Sequence, residues 1–301
     1  MAAMEAIKRL LSRFGASSVL MKIVWVNIAV FVALRLAAIV CLFAGKREAL
    51  GAILATVELP SSPWGIVMRP WTVITYMFSQ YDVFHILFNM IWLYWFGTLF
   101  GMASSQRRLL PLYLYGGLAG AALFVAVSQL LPGMSGGALI GSSAAVIAIV
   151  TATAIMMPDF EMNLFLIGAV KLKWIAIVTI GLVFLGVAGP NMGGEVAHVG
   201  GILVGVWYAL SLRRGVDITD PCCRLLDSLA GTVRNLRRRM TRKGTPSGYA
   251  PRTPAGGSAP SMPPADREEL DRILDKIKRS GYSALSPDER KRLFDVSRNI
   301  K

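Results

Sequence analysis

The sequence predicts an all-α, polytopic membrane protein: a bundle of six transmembrane helices followed by a soluble C-terminal tail. Three observations predict it. Of 301 residues, 54% are hydrophobic and 17% charged, with a mean hydropathy of +0.53, whereas a soluble domain carries roughly 25% charged residues and under half apolar. Six apolar stretches, at about 23–44, 83–102, 109–131, 142–157, 172–188 and 196–212, come close to the about 20 residues that a spanning helix needs. The charge is also unevenly placed. Residues 213–301 hold 20 Lys and Arg against 11 Asp and Glu, and residues 1–212 hold 12 against 7. Six buried helices of a soluble protein would not stay so free of charge. Three cysteines, Cys41, Cys222 and Cys223, form no disulfide framework and have no metal-ligand spacing with histidine.

In order along the chain, residues 1–22 form a basic amphipathic lead-in, with Lys8, Arg9 and Arg13 facing lipid headgroups. They lack the compact apolar core and small-residue cleavage site of a signal peptide. Residues 23–212 form the six-helix domain. Arg35 falls inside the first span, where a charge turned to the bundle or snorkelling is the expected reading. The connection at about 45–82 is long and partly apolar, as expected of a segment lying on the membrane surface. Lys8, Arg9, Arg13, Lys22, Arg107, Arg108, Lys171, Lys173 and the basic tail fall on one set of loops, so the positive-inside rule puts both termini in the cytoplasm. Residues 213–239 are a basic juxtamembrane segment whose Leu225, Leu226, Leu229, Val233 and Leu236 recur at helical spacing, suited to an anionic leaflet. Residues 240–265 are a flexible linker rich in Pro, Gly, Ser and Thr. Residues 266–301 form a small helical hairpin, with a stripe of Leu270, Ile273, Leu274 and Ile277, Gly281 as a stop, and a capping box from Ser286 to Glu289.

Polar groups inside spans are costly, so each calls for a functional hypothesis. The chain's two histidines, His85 and His198, both fall in spans. Asn89 sits one helical turn from His85. His198 is followed by Gly201 and Gly205, and small residues at that spacing allow close helix approach. A glycine-rich, uncharged loop leads through Gly141, Ser142 and Ser143 into the fourth span. Each piece alone has a plain packing explanation. Parity joins them: His85, Ser143 and His198 each lie near the start of an even-numbered span, hence at similar depth beneath one surface, the outer one by the charge rule. There an imidazole can act as base to a serine hydroxyl, and His85, Asn89 and a helix-start N–H can stabilise an oxyanion.

At these residues the chain resembles the rhomboid family of intramembrane serine proteases, over about Trp71 to Leu212. The motifs are H-x-x-x-N (His85, Asn89), G-x-S (Gly141, Ser143) and A-H-x-x-G-x-x-x-G (Ala197, His198, Gly201, Gly205). The resemblance implies a rhomboid-like bundle with Ser143 as nucleophile, His198 as general base in a dyad, and His85, Asn89 and the Ser143 amide lining the oxyanion hole. It selects Ser143 over Ser142, and it gives Glu195 no third role. The chain departs from the common pattern at Thr72, Gly101, Ala144 and Ile147. The tail looks like an appendage of some bacterial rhomboids, which makes a bacterial plasma membrane the expected location.

The function so implied is cleavage of transmembrane segments of other membrane proteins, in a water-filled cavity open to the outer side. Expected partners are such substrates and membrane lipids. No cofactor, metal or nucleic acid is expected. The alternative is a catalytically silent rhomboid-like scaffold that binds membrane helices, and intact Ser143 and His198 argue against it. A small transporter would show inverted repeats between its halves, which the sequence does not suggest.

Overall fold

The computed structural model describes residues 15, 17–131, 136–164, 167–187, 189, 191–242, 272–273, 275–276, 285–291 and 293. The basic lead-in at Lys8, Arg9 and Arg13, the linker from 243 to 265, and the tail positions Leu270, Leu274, Ile277 and Gly281 lie outside the described residues.

Six apolar helices make the membrane domain: α1 (Val19–Phe43), α2 (Val83–Ala103), α3 (Gln106–Leu130), α4 (Ser143–Met156), α5 (Leu172–Gly186) and α6 (Met192–Arg213). By length and composition α1, α2, α3 and α6 can each cross a membrane, while α4 and α5 are shorter apolar helices of 14 and 15 residues. The protein is thus a multi-pass, membrane-embedded helical bundle. Several helices start earlier than hydropathy places them. Hydropathy registers only the apolar turns, whereas the start is set by a polar cap. Ser18 accepts from the Met21 N–H and Ser105 from the Arg107 N–H, so α1 and α3 begin at Val19 and Gln106. Asp82 accepts the His85 N–H at 2.7 Å at the start of α2.

Helix α4 occupies the centre, packed by α2, α3, α5 and α6. From Ala144 to Ala154 every side chain except Ile147 is buried. A helix this short, about 21 Å at 1.5 Å per residue, cannot span a hydrocarbon core of about 30 Å. At least one of its ends therefore stops short of the hydrocarbon boundary. Close approach by α6 fixes its place against that helix. A Cβ on Gly205 would come within 2.6 Å of the Ala148 carbonyl oxygen, and one on Gly201 would overlap that of Ala144. Small residues on both helices allow this backbone contact.

The connection between α1 and α2 folds into short helices, Arg47–Leu54, Pro63–Met68 and Thr72–Thr75, and strand β1 (Leu59–Pro60). β1 pairs antiparallel with β2 (Ala138–Leu139), which joins this connection to the loop before α4. Arg69 bonds the Ala55 carbonyl, and the Trp71 indole N–H donates to that of Thr56 at 2.8 Å. Trp64, Val67 and Met68 face outward, as expected for a segment on the lipid interface. Arg35 is half-buried with its guanidinium 4.3 Å from the Tyr81 ring centroid, turned to the bundle.

Where α4 ends, a hairpin of β3 (Glu161–Leu164) and β4 (Gly168–Lys171) leads into α5. Asp159 pairs with Lys173 at 2.8 Å and Lys171 at 3.5 Å, which holds its carboxyl below the ordinary range. Helix α7 (Asp220–Arg242) carries an exposed stripe of Leu225, Leu229, Val233 and Leu236. Arg107 reaches Asp227 on it at 2.6 Å. The chain divides into two compact units, 1–236 and 237–301. Within the second, Ser286 and Glu289 cap each other: the Ser286 N–H donates to the Glu289 carboxylate at 2.7 Å, and the Glu289 N–H to the Ser286 hydroxyl at 3.2 Å.

Candidate active site

Gly141 sets the entry to α4. Its φ of +134° lies outside the range of L side chains, and its N–H donates to the Tyr76 carbonyl at 3.0 Å. The chain then turns through Ser142 and starts helix with Ser143. A Cβ at Gly141 would lie 3.1 Å and 3.2 Å from the His85 ring and 3.8 Å from Ser143 Oγ. A side chain here would press on the His85 ring, so the glycine lets that ring lie close to the entry of α4. Ser142 is fully buried, whereas Ser143 is half-buried.

His198, on α6, places its Nε2 2.7 Å from Ser143 Oγ. The Gly201 and Gly205 contacts with α4 bring it there, since a wider helix separation would carry the ring out of reach. Its other nitrogen, Nδ1, lies 2.9 Å from Glu195 Oε2. Glu195 stands three residues before His198 in the sequence, where a third triad member would be sought, but the resemblance gives it no such role. Hydropathy places the start of this helix at about 196, which leaves Glu195 in a loop. With α6 beginning at Met192, Glu195 and His198 fall one turn apart on the same face.

Asn89 is held by a buried polar chain. Its amide N–H donates to Gln80 Oε1 at 2.9 Å, and the Gln80 amide donates to Asn27 Oδ1 at 3.0 Å. Asn27 in turn donates to the Ile23 carbonyl at 2.9 Å and the Tyr113 hydroxyl at 3.2 Å, and Tyr113 donates to the Met77 carbonyl at 2.5 Å. One of the two Asn89 amide hydrogens is thus committed to Gln80. Neither Gln80 nor Asn27 stood out in the sequence, because neither shares a helical face with His85 or Asn89.

Two cavities meet at Ser143 and His85. One of about 210 Å³ lies between α2, α4 and α5 and is lined by Phe88, Asn89, Trp92, Ile147, Val150 and Thr179. The other, of about 560 Å³, lies against the 136–140 loop and the start of α6, where its lining includes Gly136, Gly137, Asn191, Gly193 and Gly194. The first is largely apolar. The second offers exposed backbone, as a water-holding site requires.

A family model described as the rhomboid domain matches residues 68–215, the stretch that holds the β1–β2 joint's partner loop, α2 to α6 and all of these groups except Asn27 and Ile23 on α1. The chain belongs to the rhomboid family. A second model, described as a family of unknown function (DUF6576), matches residues 264–299 of the tail. Presenilin-associated rhomboid-like protein A, mitochondrial, of Danio rerio is 28% identical over 137 residues, 44% of this chain and 34% of that protein. RHOMBOID-like protein 12, mitochondrial, of Arabidopsis thaliana is 31% identical over 161 residues, 49% of this chain and 48% of that protein. The chain thus spans about a third and about a half of the length of these two curated relatives.

The positions at which this rhomboid departs from the common pattern have local partners. Thr72 is buried and its hydroxyl donates to the Arg69 carbonyl at 2.6 Å. Ala144 is buried against Gly120 and Gly201. Gly101 lies against the Gln106 side chain, and Ile147 is half-buried in the smaller cavity.

Proposed function

We propose that the chain is an intramembrane serine protease that cleaves transmembrane segments of other membrane proteins, with Ser143 as nucleophile and His198 as general base. The observation that carries this reading is the 2.7 Å contact between His198 Nε2 and Ser143 Oγ, with Ser143 lining both cavities. A serine hydroxyl attacks a peptide carbonyl when a base removes its proton, and an imidazole at this distance is such a base. Attack places negative charge on the carbonyl oxygen. The His85 ring, the second Asn89 amide hydrogen and the Ser143 N–H, which lies in a first helical turn without an intrahelical acceptor, are the donors assigned to it. His198 then gives its proton to the leaving amine, and water releases the acyl-enzyme.

The substrate segment is proposed to enter between α2 and α5, where Phe88, Trp92 and Ile147 offer an apolar lining. It must unwind to present a carbonyl, so segments with Gly or other helix-weak residues are favoured. Water would reach the serine through the larger cavity beside the loops. On the charge rule, that cavity faces the side opposite Arg107, Arg108, Lys171 and Lys173, with both termini cytoplasmic. The resemblance of the tail supports a bacterial plasma membrane. The mitochondrial names belong to the two relatives.

The test is incubation of the purified protein with a model transmembrane substrate and, separately, a fluorophosphonate. Wild type is expected to cut and to take the label, and Ser143→Ala to do neither. Equal cutting by the two proteins would sink the protease reading.

A further inference from the structure

We propose that Glu195 is a positioning residue for His198, so that the site works as a Ser143–His198–Glu195 triad rather than a dyad. This rests on the protease reading above. A histidine can serve as base through Nε2 only while its ring proton sits on Nδ1. In a half-buried site that Nδ1–H needs an acceptor, or the other tautomer competes. Glu195 Oε2, 2.9 Å away, is that acceptor. The two side chains are 14% and 20% exposed, so water does not readily replace either partner.

A carboxylate in the first turn of α6 also suits the helix dipole, which would be a purely structural role. Two further observations point past it. Among the described residues no Lys or Arg pairs with Glu195, and its carboxylate partner is the imidazole Nδ1. Its carboxylate also lies close against a glycine of α5. At the end of α5, a Cβ on Gly186 would fall 2.9 Å from Glu195 Cδ and 3.0 Å from Cγ and Oε1. Gly186 therefore leaves just the room in which Oε1 rests against α5 while Oε2 faces His198. A dipole-capping role would not require this placement.

In the reaction the Ser143 proton passes to Nε2 as Oγ bonds the carbonyl carbon. The Nδ1 proton stays on the ring, and Glu195 stays ionised and faces the imidazolium that forms. It takes no proton. Among the described residues, His85 is a second titratable side chain near the ring, across the serine.

The variants are Glu195→Ala, Glu195→Gln, Glu195→Asp and Gly186→Ala, each in the full chain, read by cleavage kinetics and by nitrogen NMR of histidine-labelled protein. The chain has two histidines, and a His85→Gln sample assigns their signals. Wild type is expected to show His198 protonated on Nδ1 and bare on Nε2, and Glu195→Ala a mixture of tautomers. Both Glu195→Ala and Glu195→Gln should lower kcat with KM little changed. The drop should lie between about tenfold and the about 10⁴-fold that loss of a buried triad acid costs. Glu195→Asp should recover part of it, and Gly186→Ala, by displacing the carboxylate, should lower kcat without touching His198. A kcat within twofold of wild type and an unchanged tautomer in Glu195→Ala would overturn the proposal while Ser143→Ala still abolished cutting. If instead Ser143→Ala cut as well as wild type, the protease reading would fall, and the nitrogen spectrum would still decide whether Glu195 holds the Nδ1 proton.

Discussion

Ser143 Oγ and His198 Nε2 lie 2.7 Å apart across 55 residues of sequence, and Ser142, the neighbour of Ser143, lines neither cavity that meets there. The two serines should therefore separate cleanly. Ser142→Ala should keep fluorophosphonate labelling, since that hydroxyl is fully buried. His198→Ala should lose it, because an unassisted serine hydroxyl is a poor nucleophile. Gel fluorescence of detergent-purified variants measures both.

The His85 ring lies beside Gly141 and Ser143. As an oxyanion donor it acts on charge that exists only during the reaction. His85→Ala should lower kcat by about 10²–10³-fold, with KM nearly unchanged and the thermal midpoint close to wild type. A change confined to KM would argue against that role.

Gln80 joins Asn89 to Asn27 in the buried polar chain. Gln80→Leu removes a partner from each, and a buried polar group left unpaired costs about 1–3 kcal/mol. Lower thermal stability is expected, together with a loss of activity from the freed Asn89 amide. Melting and cleavage should fall together, unlike the His85 variant.

The backbone of α4 lies against Gly201 and Gly205. Alanine at either position must push α4 and α6 apart, and overpacking of this kind costs about 1–3 kcal/mol. Reduced stability to denaturant is expected. At Gly201, one turn from His198, lost labelling should accompany it, because the shift lengthens the Ser143–His198 contact.

Asp217 lies in the turn after α6, outside the spans. Partial burial pushes its carboxyl up, but the Thr219 N–H and hydroxyl and the Arg108 guanidinium at 2.7 Å outweigh this and hold it below the ordinary carboxylate range. A lowered folded-state value means that the stabilisation is full above the unfolded-state value. It is lost as pH falls through the folded one. Acid titration below about pH 4 should loosen this turn, read as faster amide exchange at Thr219. Asp217→Asn should remove the pH dependence and cost up to about 1 kcal/mol at neutral pH, the range for a partly exposed pair.

Much of the bundle could be read from hydropathy alone, because lipid demands long apolar stretches and each stretch announces its own helix. Spacing also put His85 with Asn89, and His198 with Gly201 and Gly205, since these lie on single helices. Parity along the chain placed His85, Ser143 and His198 toward one end of the bundle. The starts of α1, α3 and α6 were less visible, because they depend on capping residues or on polar first turns that add nothing to an apolar average. The β1–β2 pairing was not visible either, since two-residue strands carry no periodicity.

What the sequence by itself determined is a membrane bundle with a hydroxyl and an imidazole on alternate spans, because local composition and helical period need no partner to be read. What only the tertiary structure decided is distance: that α4 sits at the centre of the bundle, that Gln80 and Asn27 hold Asn89, and that Glu195 meets Nδ1 of His198. Those contacts depend on how closely glycine faces let backbones approach and on where a helix begins, and both are properties of packed helices rather than of any one segment.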